Sequence, residues 1–274
     1  MLIFDCFHHL TPTLSSSEER RRDVDKTTMT EEKTSIIEVN LPSAEKLVEA
    51  GAHFGHKTSS WNPKMAPYIF GSRNGIHVFD MEKTLVKMEE ALLFMARVIA
   101  NGGKVLFVGT KPAAKTIIVA SAGELVMPYV ANRWLGGTLT NYKTISKRIQ
   151  YLKELEEQQK TGQWEKFTKK ERLVLQRKME KLQGQLAGIR DLVKLPEAVF
   201  ITDVKVDNIA LREAKRMNIP VIAICDTNMD PRGIEYLIPA NDDATSSLKI
   251  VMTTITENLK TVKPVVKPAL GSTS

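Results

Sequence analysis

Lys104-Val-Leu-Phe-Val-Gly109 is a short apolar run, rich in β-branched residues and closed by a glycine. Two further runs of the same kind follow, Ala198-Val-Phe-Ile-Thr-Asp203 and Pro220-Val-Ile-Ala-Ile-Cys-Asp226. Each is apolar throughout instead of alternating, which is the pattern of a strand buried on both faces of a parallel sheet. Helical periodicity lies beside them at about 82–101, 112–126, 207–217 and 242–260. This alternation predicts an α/β fold, a doubly wound and mostly parallel sheet flanked by helices, with right-handed crossovers. Further upstream, Tyr68-Ile-Phe70 and Ile76-His-Val-Phe79 flank Gly71-Ser-Arg-Asn-Gly75. That pattern predicts a β-hairpin in which Asn74-Gly75 supplies the positive φ angles.

The middle of the chain breaks the rhythm. Apolar positions fall at Tyr142, Ile145, Ile149, Leu152 and Leu155, then at Leu175, Met179, Leu182, Leu186, Ile189 and Val193. Spacings of three and four form a heptad seam. With Thr161-Gly162 as the turn, the two runs predict an antiparallel coiled-coil helical hairpin inserted at 142–194. The α/β domain is then 41–141 together with 195–260. Residues 1–40 and 261–274 lack periodic apolar pattern and are expected to be a disordered leader and tail. Asp5, His8 and His9 interrupt the first apolar stretch, and eight acidic residues within 1–40 argue against a transit peptide. Met29 offers a second start.

A chain of 274 residues, 42% hydrophobic and 26% charged, has ample material for a core and is neither collagen-like nor wholly disordered. Its two cysteines, Cys6 and Cys225, cannot form a disulfide framework, so a reducing, cytoplasmic setting is expected. No stretch reaches the ~20 apolar residues that span a bilayer, so no membrane association is expected. The formal charge of +7 is unevenly spread. Residues 141–194 carry 14 basic and 7 acidic groups, whereas 195–274 carry 9 and 10. Such asymmetry points to a polyanionic partner on the hairpin side, or to a solvated helical surface.

Motifs for catalysis are sparse. Neither G-x-G-x-x-G nor G-x-x-x-x-G-K-[ST] occurs. Gly109-Thr-Lys111 follows a strand and opens a helix, so it could receive a phosphate; equally, the glycine could simply make the turn. Asp203, Asp226 and Asp230 fall at or beyond strand ends, where carboxylates can hold Mg²⁺ for phosphoryl chemistry or cap turns. The first option defines the alternative reading, a Mg-dependent nucleotide- or phosphate-processing α/β enzyme. His53-Phe-Gly-His56 would have a metal-ligand spacing on a helix, but no further ligands accompany it. No metal, cofactor or small-molecule substrate is expected, and no catalytic constellation is present.

Three loop-like stretches instead combine cations, amides and rings: His53–Lys64, Gly71–Gly75 and Asn132–Asn141. Lys57, Lys64, Arg73 and Arg133 suit phosphates, and Trp61 and Trp134 can either stack on bases or pack in the core.

The strings Ala50-Gly-Ala-His-Phe-Gly-His56, Trp61-Asn-Pro-Lys-Met65, Leu106-Phe-Val-Gly-Thr-Lys111, Arg133-Trp-Leu-Gly-Gly-Thr-Leu-Thr-Asn141, Asp226-Thr-Asn228 and Asn241-Asp-Asp-Ala244 occur in this order. Together they resemble the bacterial-type small-subunit ribosomal protein two family over about residues 41–260. Ser59-Ser60, Met229 and Ala240 depart from its usual pattern. The resemblance implies a non-catalytic structural component of the small ribosomal subunit in the cytoplasm. It also implies contact with small-subunit ribosomal RNA and other small-subunit proteins, and a part in seating ribosomal protein one for mRNA capture. The expected RNA-binding set is Lys57, Lys64, Arg73, Lys111, Arg133, Trp134 and Asn141, with Lys143, Lys147 and Arg148 at the hairpin root.

Overall fold

The computed structural model describes residues 39–262. The expected leader and tail therefore lie outside the described residues, apart from 39–40 and 261–262. Of these, Asn40 is tied down: its N–H donates to Asn258 Oδ1 (2.7 Å), and Asn258 Nδ2 donates back to its carbonyl (2.8 Å).

Helix α1 (Ala44–Glu49) starts at Ser43, whose hydroxyl accepts from the Lys46 N–H. Strands β1 (Phe54–Lys57), β2 (Ile69–Arg73) and β3 (Ile76–Phe79) form a small antiparallel sheet in the order β1-β3-β2. The hairpin turns as expected, with Asn74 at φ 53° and Gly75 at φ 75°. Asp80 then caps α2 (Met81–Ala100) by accepting from the N–H groups of Glu82 and Lys83.

From here the chain alternates: β4 (Val105–Val108), α3 (Pro112–Leu125) and β5 (Tyr129–Val130), then α4 (Tyr142–Lys160) and α5 (Lys169–Leu186). It closes with β6 (Ala198–Ile201), α6 (Asn208–Arg216), β7 (Val221–Cys225), β8 (Tyr236–Pro239) and α7 (Thr245–Lys260). The second sheet runs β5-β4-β6-β7-β8 with every pair parallel. Every residue of β4, β6 and β7 is buried, as their unbroken apolar runs require. The strand order reverses between β4 and β6, so a doubly wound sheet has its crevice at their carboxyl ends. Among the described residues, no helix is long and apolar enough to cross a membrane.

Ile145, Ile149, Leu152 and Leu155 of α4 are buried and belong to the same apolar cluster as β4, β6 and β7. Trp164 is buried in the connecting segment, and the Thr168–Glu171 capping box starts α5. Lys178 Nζ donates to Tyr151 Oη (2.9 Å) and Gln183 Nε2 to Glu156 Oε1 (2.9 Å), joining the two helices.

The seam stops sooner than its spacing predicts. Helix α5 ends at Leu186, a single 3₁₀ turn covers Ala187–Ile189, and Val193 is 91% exposed. The cause is the approach to β5, since a Cβ on Gly188 would collide with the Tyr129 carbonyl oxygen and ring. Only glycine lets the chain leave the helix against that edge. Gly188→Ala is therefore expected to cost about 2 kcal/mol through overpacking. That loss would appear as a melting point lower by about 4–8 °C; an unchanged melting point would show that the edge yields freely.

Candidate nucleic-acid interface

The segment Arg133–Asn141 buries Trp134 and Leu139, and one carboxylate organises its polar groups. Glu213, on the inner face of α6 and 7% exposed, accepts from Trp134 Nε1 (3.0 Å), Gly137 N (2.7 Å) and Leu139 N (3.0 Å). Thr140 donates to it through both its N–H and its hydroxyl (3.2 Å each). Burial alone would raise this carboxyl, but those bonds outweigh it and hold the group below the ordinary carboxylate range. Gly137 sits at φ 90°, a conformation that side chains disfavour, and this bends the loop around the carboxylate.

Trp134 therefore does not serve as expected. It is 6% exposed, with its N–H spent on Glu213, so its ring has no free face for a base. The anchored ring instead fixes the residues on either side of it. Arg133 and Asn141 are exposed at the two ends of the loop, and Lys143, Lys147 and Arg148 are exposed on the first turns of α4. The structure thus brings five of the expected residues together at the root of the helical pair. Asn141 accepts from the Thr144 hydroxyl at 2.9 Å.

Lys57 and Arg73 form a second pair. Each lies opposite Ile76, on β1 and β2 respectively, so their Cα atoms are separated by about two strand spacings, ~10 Å. Lys64 stands apart from both groups. It comes directly after Asn62-Pro63, where Asn62 caps the Pro63–Tyr68 3₁₀ turn, and its ammonium contacts Asp230 at 3.1 Å. Trp61 is half-buried against the His77 ring, with centroids 4.9 Å apart.

Lys111 departs furthest from expectation. Its ammonium lies 3.1 Å from Asp203, 3.0 Å from Asp242 and 2.5 Å from Asp243. Burial opposes its charge, but the three carboxylates overcome that and push its pKa above the usual lysine value. A cation committed to three carboxylates does not reach a phosphate. The adjoining turn is equally occupied, because Thr110 donates to Asp207 through both its hydroxyl (2.8 Å) and its N–H (3.2 Å).

The crevice at the carboxyl ends of the parallel strands is thus filled by the chain's own groups. Strand β1 lies across it so closely that a Cβ on Gly55 would come within 2.5 Å of Thr227. His56 reaches in from β1, with Nδ1 3.0 Å from Asp226 and Nε2 3.5 Å from Asp243. The Asp226 hydrogen bond and the neighbouring carboxylates raise its pKa against the effect of burial. Asp242 is pushed up to about 7, first by burial and then by the negative Asp203 beside it. Asp242 therefore takes a proton far more readily than an ordinary aspartate.

The three aspartates of the enzyme alternative do not converge. Asp203 accepts from the N–H groups of Lys205 and Val206, and Asp226 from that of Thr227, so both shape turns. Asp230 pairs with Lys64 and Arg232 instead. His56 lies on β1 and His53 in the turn before it, so the helix on which their separation of three would make a ligand pair is absent.

Sequence reasoning missed Glu213, Asp242 and Asp243. A glutamate on an amphipathic helix reads as solvent-facing, while the two aspartates stood only within the Asn241-Asp-Asp-Ala244 string.

Residues 47–261 match the family described as Ribosomal protein S2. The chain is 49% identical over 219 residues to the small ribosomal subunit protein uS2 of Nocardia farcinica, covering 78% of this chain and 77% of that one. It is 50% identical over 211 residues to the uS2 proteins of Psychrobacter cryohalolentis and Psychrobacter arcticus, covering 77% of this chain and 80% of each of those.

Proposed function

The chain belongs to the ribosomal protein S2 family, and from that premise we propose that it is a structural constituent of the small ribosomal subunit that binds small-subunit ribosomal RNA. Proteins of this family are structural and not enzymes. The observation that carries the RNA reading is the root of the helical pair, where a loop held rigid by Glu213 leaves Arg133, Asn141, Lys143, Lys147 and Arg148 exposed. Cations on a preformed loop suit an irregular RNA surface, because phosphate contacts fix position and shape selects the site. Lys57 and Arg73 extend the set at the small sheet.

The α4–α5 pair is read as an inserted coiled-coil hairpin on an α/β domain of 41–141 and 195–260, with 14 basic and 7 acidic groups over 141–194. Ribosomal protein one and other small-subunit proteins are the proposed protein partners, with seating of protein one for mRNA capture as the role in translation. That role is exercised in the cytoplasm, without membrane or small-molecule substrate.

Tagged protein sedimented through a sucrose gradient is expected to co-migrate with small subunits at low salt and to be released at high salt. Binding to small-subunit ribosomal RNA through about five phosphate contacts should give a slope of log K against log salt of roughly −3.5 to −4.5. A slope near zero contradicts the reading. Neither the Arg133 nor the Lys143 side chain makes a hydrogen bond or ion pair among the described residues. Arg133→Ala combined with Lys143→Ala should therefore cut incorporation into subunits by about tenfold and leave the melting point nearly unchanged. A large fall in melting point would reassign Arg133 to the fold.

A further inference from the structure

The carboxy-terminal part of the chain is not basic by count, with 9 cations against 10 carboxylates over 195–274. Folding buries five of these ten carboxylates. Asp203, Asp207, Glu213, Asp226 and Asp242 are buried, while Lys205, Arg212, Lys215 and Arg232 stay exposed. These four cations line one groove of about 910 Å³ between α6, the β6–α6 turn and the β7–β8 connection. Asp230 is the carboxylate on its wall, and it is already neutralised. Arg232 grips it through Nε (3.0 Å) and Nη2 (2.6 Å), and Lys64 closes from the other side. Asp230 therefore holds Arg232 in place more than it repels an anion. Lys215 is placed likewise, donating to the Arg232 carbonyl at 2.7 Å.

Arg212 and Lys215 stand three positions apart on α6, and so share one face of the helix. Neither Lys205 nor Arg212 has an ion-pair or hydrogen-bond partner for its side chain among the described residues. Beside these cations lie two amides of a different kind. Asn208 and Asn228 are half-buried along the groove, and their carboxamide oxygens are buried with no hydrogen-bond partner among the described residues. An unpaired buried acceptor costs about 1–3 kcal/mol, and the soft terminal torsion of asparagine lets it turn toward a donor.

We propose that this groove is a second RNA-binding site, taking a single-stranded segment whose phosphates meet Lys205, Arg212 and Arg232 and whose ribose hydroxyls or base N–H groups meet Asn208 and Asn228. The inference rests on the RNA reading above and adds to it a groove whose cations, Lys205, Arg212, Lys215 and Arg232, nothing in the sequence singled out. A free phosphate satisfies only the cations, since its oxygens bring acceptors where the amides need donors. A ribose-phosphate strand supplies both, because the 2′-hydroxyl donates as well as accepts. Asn62 lines the groove, and Lys64 reaches its wall through Asp230. An acidic protein would use the cations together with the exposed aliphatic lip of Val206 and Ile209, so it is the competing occupant.

The test uses the full chain and a fluorescein-labelled, unstructured RNA of about 20 nucleotides, followed by anisotropy over a range of KCl concentrations. The double variant Lys205→Ala, Arg212→Ala is expected to bind about tenfold more weakly. Its salt slope should be shallower by about 1.4, the loss of two single-strand phosphate contacts. Its melting point should match that of the unchanged chain, and the Arg133, Lys143 variant should lose affinity independently. Salt-dependent binding by the unchanged chain with no change in the groove variant overturns the groove alone. Absence of salt-dependent binding by the unchanged chain overturns the RNA reading itself, and the groove with it. DNA of the same sequence bound as tightly as RNA overturns the ribose assignment. A variant that loses a labelled poly-glutamate peptide while keeping the RNA gives the groove to an acidic protein instead.

Discussion

Glu213→Ala lowers the stability of the fold by about 4 kcal/mol, the upper range for a single substitution. The magnitude reflects the groups left behind. Five donors lose their acceptor at once: the Trp134 indole N–H, the N–H groups of Gly137, Leu139 and Thr140, and the Thr140 hydroxyl. Each bond to a charged acceptor contributes about 1.5–3 kcal/mol, but the bonds share one carboxylate and do not add. Water entering the space vacated recovers part of the loss. A fall of about 8–16 °C in melting temperature is the expected reading. Glu213→Gln keeps the volume yet turns an amide NH₂ toward donors, so it should recover less than half of the loss. The sign of the pH dependence is also set. The folded pKa of Glu213 lies below its unfolded value, so its contribution is fully present above about pH 4.5 and fades as pH falls through the folded value. The alanine variant should accordingly lose less, relative to the unchanged chain, in acid than at neutrality. If the root of the helical pair binds RNA as proposed, that binding should weaken with the loop, even at temperatures where the variant stays folded. A loss below about 1 kcal/mol would mean that the loop is held by its packing and not by the carboxylate.

The same residue shows where sequence reading ends. Strands β4, β6 and β7 were legible because a strand buried on both faces must be apolar at every position, and no partner has to be known to see that. Helices α2, α3, α6 and α7 were legible from their periodicity to within a few residues. Strand β1 was not, since Phe54-Gly-His-Lys57 neither alternates nor runs apolar; it is a strand because β3 lies beside it. Strand β5 has two residues and β8 ends in a proline, so both owe their form to the sheet they join. The periodicity of the helical pair was legible as two helices, Tyr142–Lys160 and Lys169–Leu186. Its end was misplaced because the reason for stopping, the contact of Gly188 with Tyr129, lies outside the helix.

Residues of the candidate interface divide along the same line. Arg133, Lys143, Lys147 and Arg148 were legible as cations beside a glycine-containing loop, and they are exposed. Lys111 looked the same, following a strand and opening a helix, but it meets three carboxylates from far along the chain, Asp242 being 131 positions away. Whether a lysine faces solvent or a buried aspartate is a tertiary fact. The groove of Lys205, Arg212, Lys215 and Arg232 was hidden for a related reason, because a segment's net charge does not say which sign is turned outward.

That fate of Lys111 carries the second large effect. Lys111→Met keeps an unbranched chain of similar length and removes only the ammonium. Asp203 and Asp242, both nearly fully buried, then lose their counter-charge, and Asp243 loses its closest partner. Removing one member of a buried ion cluster typically costs about 3–5 kcal/mol, because the charges left behind stay desolvated. The cluster has one relief, which is protonation. Asp242 already titrates near 7 with Lys111 present, and Lys111 is what lowers it from a higher value. In the methionine variant its folded pKa rises further, while its unfolded value stays near that of an ordinary aspartate. Between those two values the folded state binds the extra proton, so the variant's stability falls as pH rises. The loss should therefore be near 4 kcal/mol at pH 8 and clearly smaller at pH 5.5, as read from urea melts at the two values. Lys111→Arg should recover part of the loss at both, limited by the larger guanidinium in a space built for an ammonium. Equal losses at pH 5.5 and pH 8 would mean that the missing packing, and not the uncompensated charge, is what the substitution exposes. A loss that grows with pH would identify Lys111 as the cation that holds the carboxyl edge of the sheet closed.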